Sequence, residues 1–382
     1  MAKRNRDGYS AGDEVDLFEL SRRRQQAESI RRSVDEAVRI VHQEDVPVVD
    51  EMPTRRSSGN VVRMERGTDG GNEVNFNKII KLLLIAAVVC GIIIITSAYK
   101  ALSGIKYVEV NTRWSDVKAA AAPDWPLRSD QNISNILLLG IDGDGGENQR
   151  SDTIMILTLD GNADVIKMTS ILRDTYVFIP GREEKTRINH AYAYGGAALT
   201  MRTVESNFRI DLDHYVGIDM DGLTVVVDQL GGVDIPLTAK EASVINQHVK
   251  NSSLTAGVQH LNGAQATYYA RIRKIDSDFG RTGRQRKLIK AMLSQLKDIG
   301  PLEQYSLVSK AAPYFTTNLS NTELLALACK AVGMLESDMQ EMSVPVKGAY
   351  QSKTISKMAV LVPDLPENCK EMHRFIFGSI PD

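Results

Sequence analysis

Two groups of charged residues have the types and spacing to handle phosphate. The first is Asp142, Arg150, Asp152, Arg173 and Asp174, each at or just beyond the end of an apolar run. Asp142 and Asp152 flank the glycine-rich stretch GIDGDGGENQRSD. Carboxylate oxygens of that kind suit Mg2+, which takes one or two carboxylates together with substrate phosphates. An acidic, solvated loop fits the same pattern. The stretch is not an EF-hand, because the acidic spacing and closing Glu are wrong, and no G-K-[ST] follows to make a P-loop. The second group is RIRKIDSDFGRTGRQRK, Arg271 to Lys287. If extended, Arg271 and Arg273 point to one side. Arg281 and Gln285 share a face on a helix, with Arg284 beside it. The planar fork of arginine matches phosphate oxygens bidentately, and a helix N-terminus adds N–H donors. The alternative is a surface salt-bridge network in which Asp276 and Asp278 pair with some of these arginines.

Such groups need a rigid frame, and loops at strand ends supply one. NILLLG (Asn135–Gly140), TIMILTLD (Thr153–Asp160) and DVIKMTSIL (Asp164–Leu172) read as strands, the last two joined by a turn around Gly161-Asn162. HYVGID (His214–Asp219) and Val233–Pro236 are two more. Helices are expected over Gly196–Phe208, Met220–Leu230, Asn262–Ala270, Arg281–Ile299 and Ser320–Leu335. The alternation argues for an α/β fold with helices layered on a central sheet, and the hairpin makes that sheet mixed.

The chain has 382 residues, a formal net charge of -2 and three cysteines. That balance suggests no general affinity for nucleic acid. Cys329 and Cys369 either pair or stay as thiols, and no zinc signature occurs. Leu82–Tyr99 (LLLIAAVVCGIIIITSAY) carries no charge and is long enough for most of a hydrocarbon core. With Ile79 and Ile80 it makes a transmembrane helix over 79–99. A charged stretch precedes it, so a cleaved signal peptide is not expected. Arg63, Arg66, Lys78 and Lys81 before the span slightly outweigh Lys100, Lys106 and Arg113 after it, which favours a cytoplasmic N-terminus. Residues 1–78 read as a partly disordered segment with one arginine-rich helix from Asp13 to about Gln43, either solvated or docked on anionic lipid. Residues 100–131 read as a stalk, and residues 132–382 as the functional domain.

LGID, RSDT, LRDTYVFIPG, INHAYAYGG, VDQLGGVDI, LNGAQATYYARIR and DSDFGRTGRQR follow the order and spacing of LytR-CpsA-Psr domains. The chain resembles that family from Asn132 to Ile299. The resemblance implies a layered α/β/α domain with a hydrophobic tunnel, behind one membrane span acting as a signal-anchor, with the domain outside the cell membrane. It implies a phosphotransferase that moves a glycopolymer, such as teichoic acid or capsule, from a polyprenyl-diphosphate lipid to a peptidoglycan hydroxyl. By the same resemblance Asp142 and Asp152 hold Mg2+ (or Mn2+). Arg150, Arg187, Arg271, Arg273, Arg281 and Gln285 line the diphosphate site. Arg173, Asp174 and Asp278 are the catalytic group, either aspartate being a candidate base. The family often has lysine directly before I-N, where this chain has Arg187. A diphosphatase would use the same residues with water as acceptor. A non-catalytic membrane regulator would leave them dispensable.

Overall fold

Alternating apolar positions along ISNILLLGID and RSDTIMILTLD let each strand serve both faces of one sheet. The computed structural model describes residues 96–110, 119, 121–142, 149–212, 214–273, 275–335, 337 and 339–381. The strands are β1 (Lys106–Tyr107), β2 (Ile133–Asp142), β3 (Arg150–Asp160), β4 (Val165–Ile171), β5 (Tyr176–Val177), β6 (Thr186–Arg187) and β7 (His214–Asp219). They continue as β8 (Val233–Leu237), β9 (Gly257–Leu261), β10 (Phe315–Thr317), β11 (Gln340–Val344), β12 (Tyr350–Ile355) and β13 (Met358–Pro363). The helices are α1 (His190–Phe208), α2 (Met220–Gln229), α3 (Ala239–His248), α4 (Gly263–Arg271), α5 (Asp278–Asp298), α6 (Pro301–Ala311), α7 (Asn321–Gly333) and α8 (Leu365–Phe377). A further helical stretch covers 96–102.

The central sheet runs β1-β10-β7-β2-β3-β4-β11. Strands β7, β2, β4 and β11 point one way, and β3 and β10 the other. The carboxyl ends of β2 and β4 therefore meet the start of β3 at one edge, where ligands collect in open α/β sheets. Leu137, Leu139, Ile154 and Ile156 pack on α1 and α8. The alternate residues Ile136, Leu159 and Ile166 pack on the opposite face with Leu293 of α5 and Leu327 of α7. The expected mixed, layered α/β architecture is therefore present. The expected turn is also there: Asp160 Oδ1 accepts the N–H groups of Asn162 (3.0 Å) and Ala163 (3.1 Å).

Several elements differ from expectation. The strand begun at Val233 pairs with β9 in a separate ribbon, covered by α3 and α4. Helix α1 starts at His190, with a kink at Gly195 and Gly196, where Gly196 takes φ 61°. A glycine there carries no Cβ penalty for the left-handed turn. Helix α5 begins at Asp278, ahead of Arg281. The stretch expected to be a stalk belongs largely to the domain. Its β1 extends the sheet beside β10, and Ala119, Ala122 and Trp125 join the main core. Cys329 is exposed and Cys369 buried, and both are thiols. Residues 1–95, which carry the expected Asp13–Gln43 helix and nearly all of the apolar run, lie outside the described residues. Among the described residues no helix is long and apolar enough to cross a membrane.

Candidate active site

The site begins with a bulge. Gly140 pairs with Thr153 and Ile141 with Ser151, so Asp152 is one residue in excess on β3. A bulge bends a strand and re-aims the extra side chain. Gly140 is required beside it, because a Cβ there would come within 2.8 Å of the Thr153 side chain. Beyond β4 a turn is closed by Thr175, whose N–H (3.1 Å) and hydroxyl (2.6 Å) donate to the Leu172 carbonyl. That turn projects Arg173 and Asp174 over the end of the sheet.

Arg173 is the hub. Its Nη1 donates to Asp152 Oδ1 (3.1 Å), and its Nε lies 3.6 Å from Asp278 and 3.8 Å from Asp174. Arg281, only 2% exposed, donates through Nη2 to the Asp152 carbonyl (3.2 Å) and to Asp278 (3.1 Å). Arg273 pairs with Asp152 Oδ2, Arg271 with Asp142 (3.3 Å), and Arg187 with Asp174 (3.1 Å). Gln285 lies one turn beyond Arg281 and donates to the Ala270 carbonyl (3.4 Å). Arg150 stands opposite Asp142 in the β2–β3 register, exposed at the rim. The two sequence clusters are thus one cluster in space. Arg284 is separate. It leaves α5 on another side, held by Asp276 (2.6 Å), Glu241 of α3 (3.5 Å) and the Ile272 carbonyl.

Sequence reading missed Asn189, which is 2% exposed and donates to Asp152 (3.5 Å), and His190, which meets Arg187 at 3.1 Å. Their signal was two polar residues placed where an apolar core would be expected, in INHAYAYGG.

The electrostatics separate the carboxylates. Burial alone would raise Asp152, but Arg173, Arg273 and Arg281 outweigh it and hold the carboxyl below its ordinary value. Burial raises Asp278, with Arg281 and Arg173 offsetting only part and Asp174 and Asp152 adding to the rise. Burial likewise lowers Arg281 and, with Arg187 and Arg150, lowers His190. Arg173 Nε and Arg281 Nε and Nη1 are buried with no hydrogen-bond partner among the described residues. Buried donors left open in this way cost stability and point to a ligand that satisfies them.

Below this cluster lies an apolar channel of about 190 Å3. It runs between the sheet face (Leu138, Val216, Ile218) and helices α2 and α5 (Leu223, Leu288, Met292), with Asp142, Asp152, Arg271, Arg273, Arg281 and Gln285 at its polar end. A second apolar cavity of about 220 Å3 shares Val216 and Phe315 with it and reaches Leu102 and Ile105. No group of three or more His, Cys, Asp or Glu side chains converges among the described residues. Asp142 and Asp152 are the two carboxylates that line the channel mouth. Two carboxylates fit Mg2+ completed by substrate phosphates and water.

Open guanidinium donors at the polar end of an apolar channel would suit a ligand that is phosphate at one end and hydrocarbon at the other. The chain belongs to the LytR_cpsA_psr family, whose model matches residues 97–374. It is 35% identical over 225 residues to polyisoprenyl-teichoic acid–peptidoglycan teichoic acid transferase TagV of Bacillus subtilis (strain 168), a match covering 56% of this chain and 57% of that relative. It is 34% identical to the corresponding TagU of Enterococcus faecalis over 229 residues, 55% of this chain and 72% of TagU. The fold is similar to that of a solved structure of TagT bound to LIIa-WTA, with a TM-score of 0.57 and 26% identity, over 70% of this chain and 99% of that one.

Proposed function

We propose that this protein is a phosphotransferase that moves a glycopolymer from a polyprenyl-diphosphate lipid to a hydroxyl of peptidoglycan. One observation carries the reading: an apolar channel opens directly onto buried, unsatisfied arginine donors. Relatives named as teichoic acid transferases support the polymer class.

The lipid tail occupies the channel and the diphosphate meets Arg271, Arg273, Arg281 and Gln285, with Arg150 and Arg187 at the rim. The acceptor hydroxyl attacks the phosphorus nearer the sugar. Asp278 takes the proton, the bond to the bridging oxygen breaks, and the lipid monophosphate leaves. Asp278 suits the base because burial raises its carboxyl above the ordinary value and makes it the better proton acceptor, whereas arginines hold Asp152 below its own. Asp174 aims Arg187 and Arg173. Arg173 and Arg281 offset the charge that builds on the phosphoryl oxygens, the main requirement of this reaction class. Asp142 and Asp152 would hold Mg2+ (or Mn2+), which neutralises phosphate charge when bound. The apolar run at 79–99 anchors the enzyme in the cell membrane as a single span, with residues 1–78 cytoplasmic and the domain outside.

The test is acceptor dependence. The full chain in detergent, with a labelled polyprenyl-diphosphate saccharide, peptidoglycan fragments and Mg2+, should move label to the fragments, and Arg173→Ala should abolish that. Label released only to water makes the protein a diphosphatase instead.

A further inference from the structure

A second opening of about 520 Å3 borders the charged cluster and shares no lining residue with the channel. Asp174 and Asp278 line it from the cluster side, and the β12–β13 hairpin lines it from the other. The hairpin is tied to the cluster by backbone, because Leu361 N–H donates to the Asp174 carbonyl (2.9 Å). Its exposed residues Ser352, Lys353 and Thr354 line the cavity, as does Tyr350. The Tyr350 ring sits 5.8 Å from that of Phe279, tilted by 31°.

We infer that this cavity is the acceptor subsite, and that it takes a saccharide of the peptidoglycan glycan strand. The inference rests on the transferase reading above and extends it to the second substrate. In-line displacement at phosphorus requires the attacking and leaving oxygens on opposite sides. The leaving lipid phosphate belongs to the channel, which Asp152 and Arg281 line, so the acceptor must enter across the cluster. Asp278 is the residue common to this opening and to Arg281, so a hydroxyl arriving here meets the proposed base first. The lining also suits a sugar. An aromatic pair offers a flat apolar surface to the C–H face of a pyranose. Ser277, Ser352 and Thr354 offer hydroxyls, and Lys353 offers a cation to the acidic substituents of muramic acid.

The experiment measures binding and transfer separately with the full-length protein. The probe is the N-acetylglucosaminyl-N-acetylmuramic acid disaccharide. Ser352→Trp fills the cavity from an exposed strand position, and Lys353→Glu reverses its charge. Lys357→Asn, at the hairpin tip outside the lining, is the control. Both cavity variants are expected to weaken disaccharide binding and raise the acceptor KM by about tenfold, a free-energy change of about 1.4 kcal/mol. Donor affinity should hold, and Lys357→Asn should match the unmodified protein. Unchanged binding and acceptor KM in both Ser352→Trp and Lys353→Glu overturn the inference. If the unmodified protein transfers nothing and only hydrolyses donor, the transferase reading fails. The binding arm then judges the cavity alone, and absent or variant-insensitive disaccharide binding overturns it.

Discussion

Replacing Arg281 with Met keeps the apolar stem of the side chain and removes the guanidinium and its charge. The guanidinium is 2% exposed, and two of its three nitrogens have no partner among the described residues. Stranding a buried partner of an ion pair costs about 3–5 kcal/mol. Asp278, however, keeps Arg173 at 3.6 Å, so it is not left without a cation. The unsatisfied donors also vanish, each carrying a penalty of about 1–3 kcal/mol. The two terms nearly cancel, so the net change in stability stays within about 2 kcal/mol, a Tm shift of at most a few degrees in a domain of this size. Catalysis loses much more. Removing one donor aimed at developing transition-state charge costs about 10²–10³ in kcat. The assay pairs thermal unfolding with transfer kinetics at saturating donor. A kcat within about tenfold of the parent would refute the assignment of Arg281 to the phosphoryl group. A Tm loss above roughly 10 °C, with activity following the folded fraction, would make Arg281 a structural keystone instead.

Three further outcomes follow from the same geometry. Asp278 has a raised pKa, so kcat should fall as pH drops through a value above the ordinary aspartate value of about 3.9. Asp278→Asn should abolish that acid limb and lower kcat by about 10²–10⁴. The sign for stability is opposite: folding favours protonated Asp278, so its contribution is present below the ordinary pKa and lost as pH rises through the raised one, and Asp278→Asn should flatten that loss in pH-dependent unfolding. Val216 lies between the two apolar cavities, so Val216→Trp should raise KM for a long-chain donor while sparing a donor of two isoprene units. Its overpacking cost, about 1–3 kcal/mol, is checked by thermal unfolding. Ser320 caps α7 in a capping box with Glu323, so Ser320→Ala should cost about 1 kcal/mol with kcat unchanged.

Strands β2, β3, β4 and β7 were legible because long apolar runs and a Gly-Asn turn leave few alternatives. That the two arginine–aspartate groups share one site was implied by the family resemblance and not by their spacing. The bulge that makes Asp152 an extra residue was not legible, since bulges depend on pairing register rather than local composition. Arg284 was not separable from Arg281 and Gln285 by spacing, because its direction is set by Asp276 and Glu241. Strands β10 and β11 are short, and Phe-Thr-Thr and Gln-Glu-Met-Ser-Val hold no clear alternation. They form by adding to an edge the other strands have already built. The same holds for β1, which turned an expected stalk into part of the sheet. Strand β12, YQSKTI, is mostly exposed, so it gives no burial signal although it walls the proposed acceptor cavity.

The most direct measurement follows the phosphorus. A donor carrying 32P only in the phosphate nearer the sugar is incubated with the full chain, Mg2+ and peptidoglycan fragments, and both products are isolated. Attack at that phosphorus, between Arg173, Arg281 and Asp278, delivers the label to the fragments in a phosphodiester and leaves an unlabelled lipid monophosphate. Label retained on a lipid diphosphate, with the polymer joined to peptidoglycan through its sugar carbon, would contradict phosphoryl transfer and make the cluster a glycosyl-transfer site.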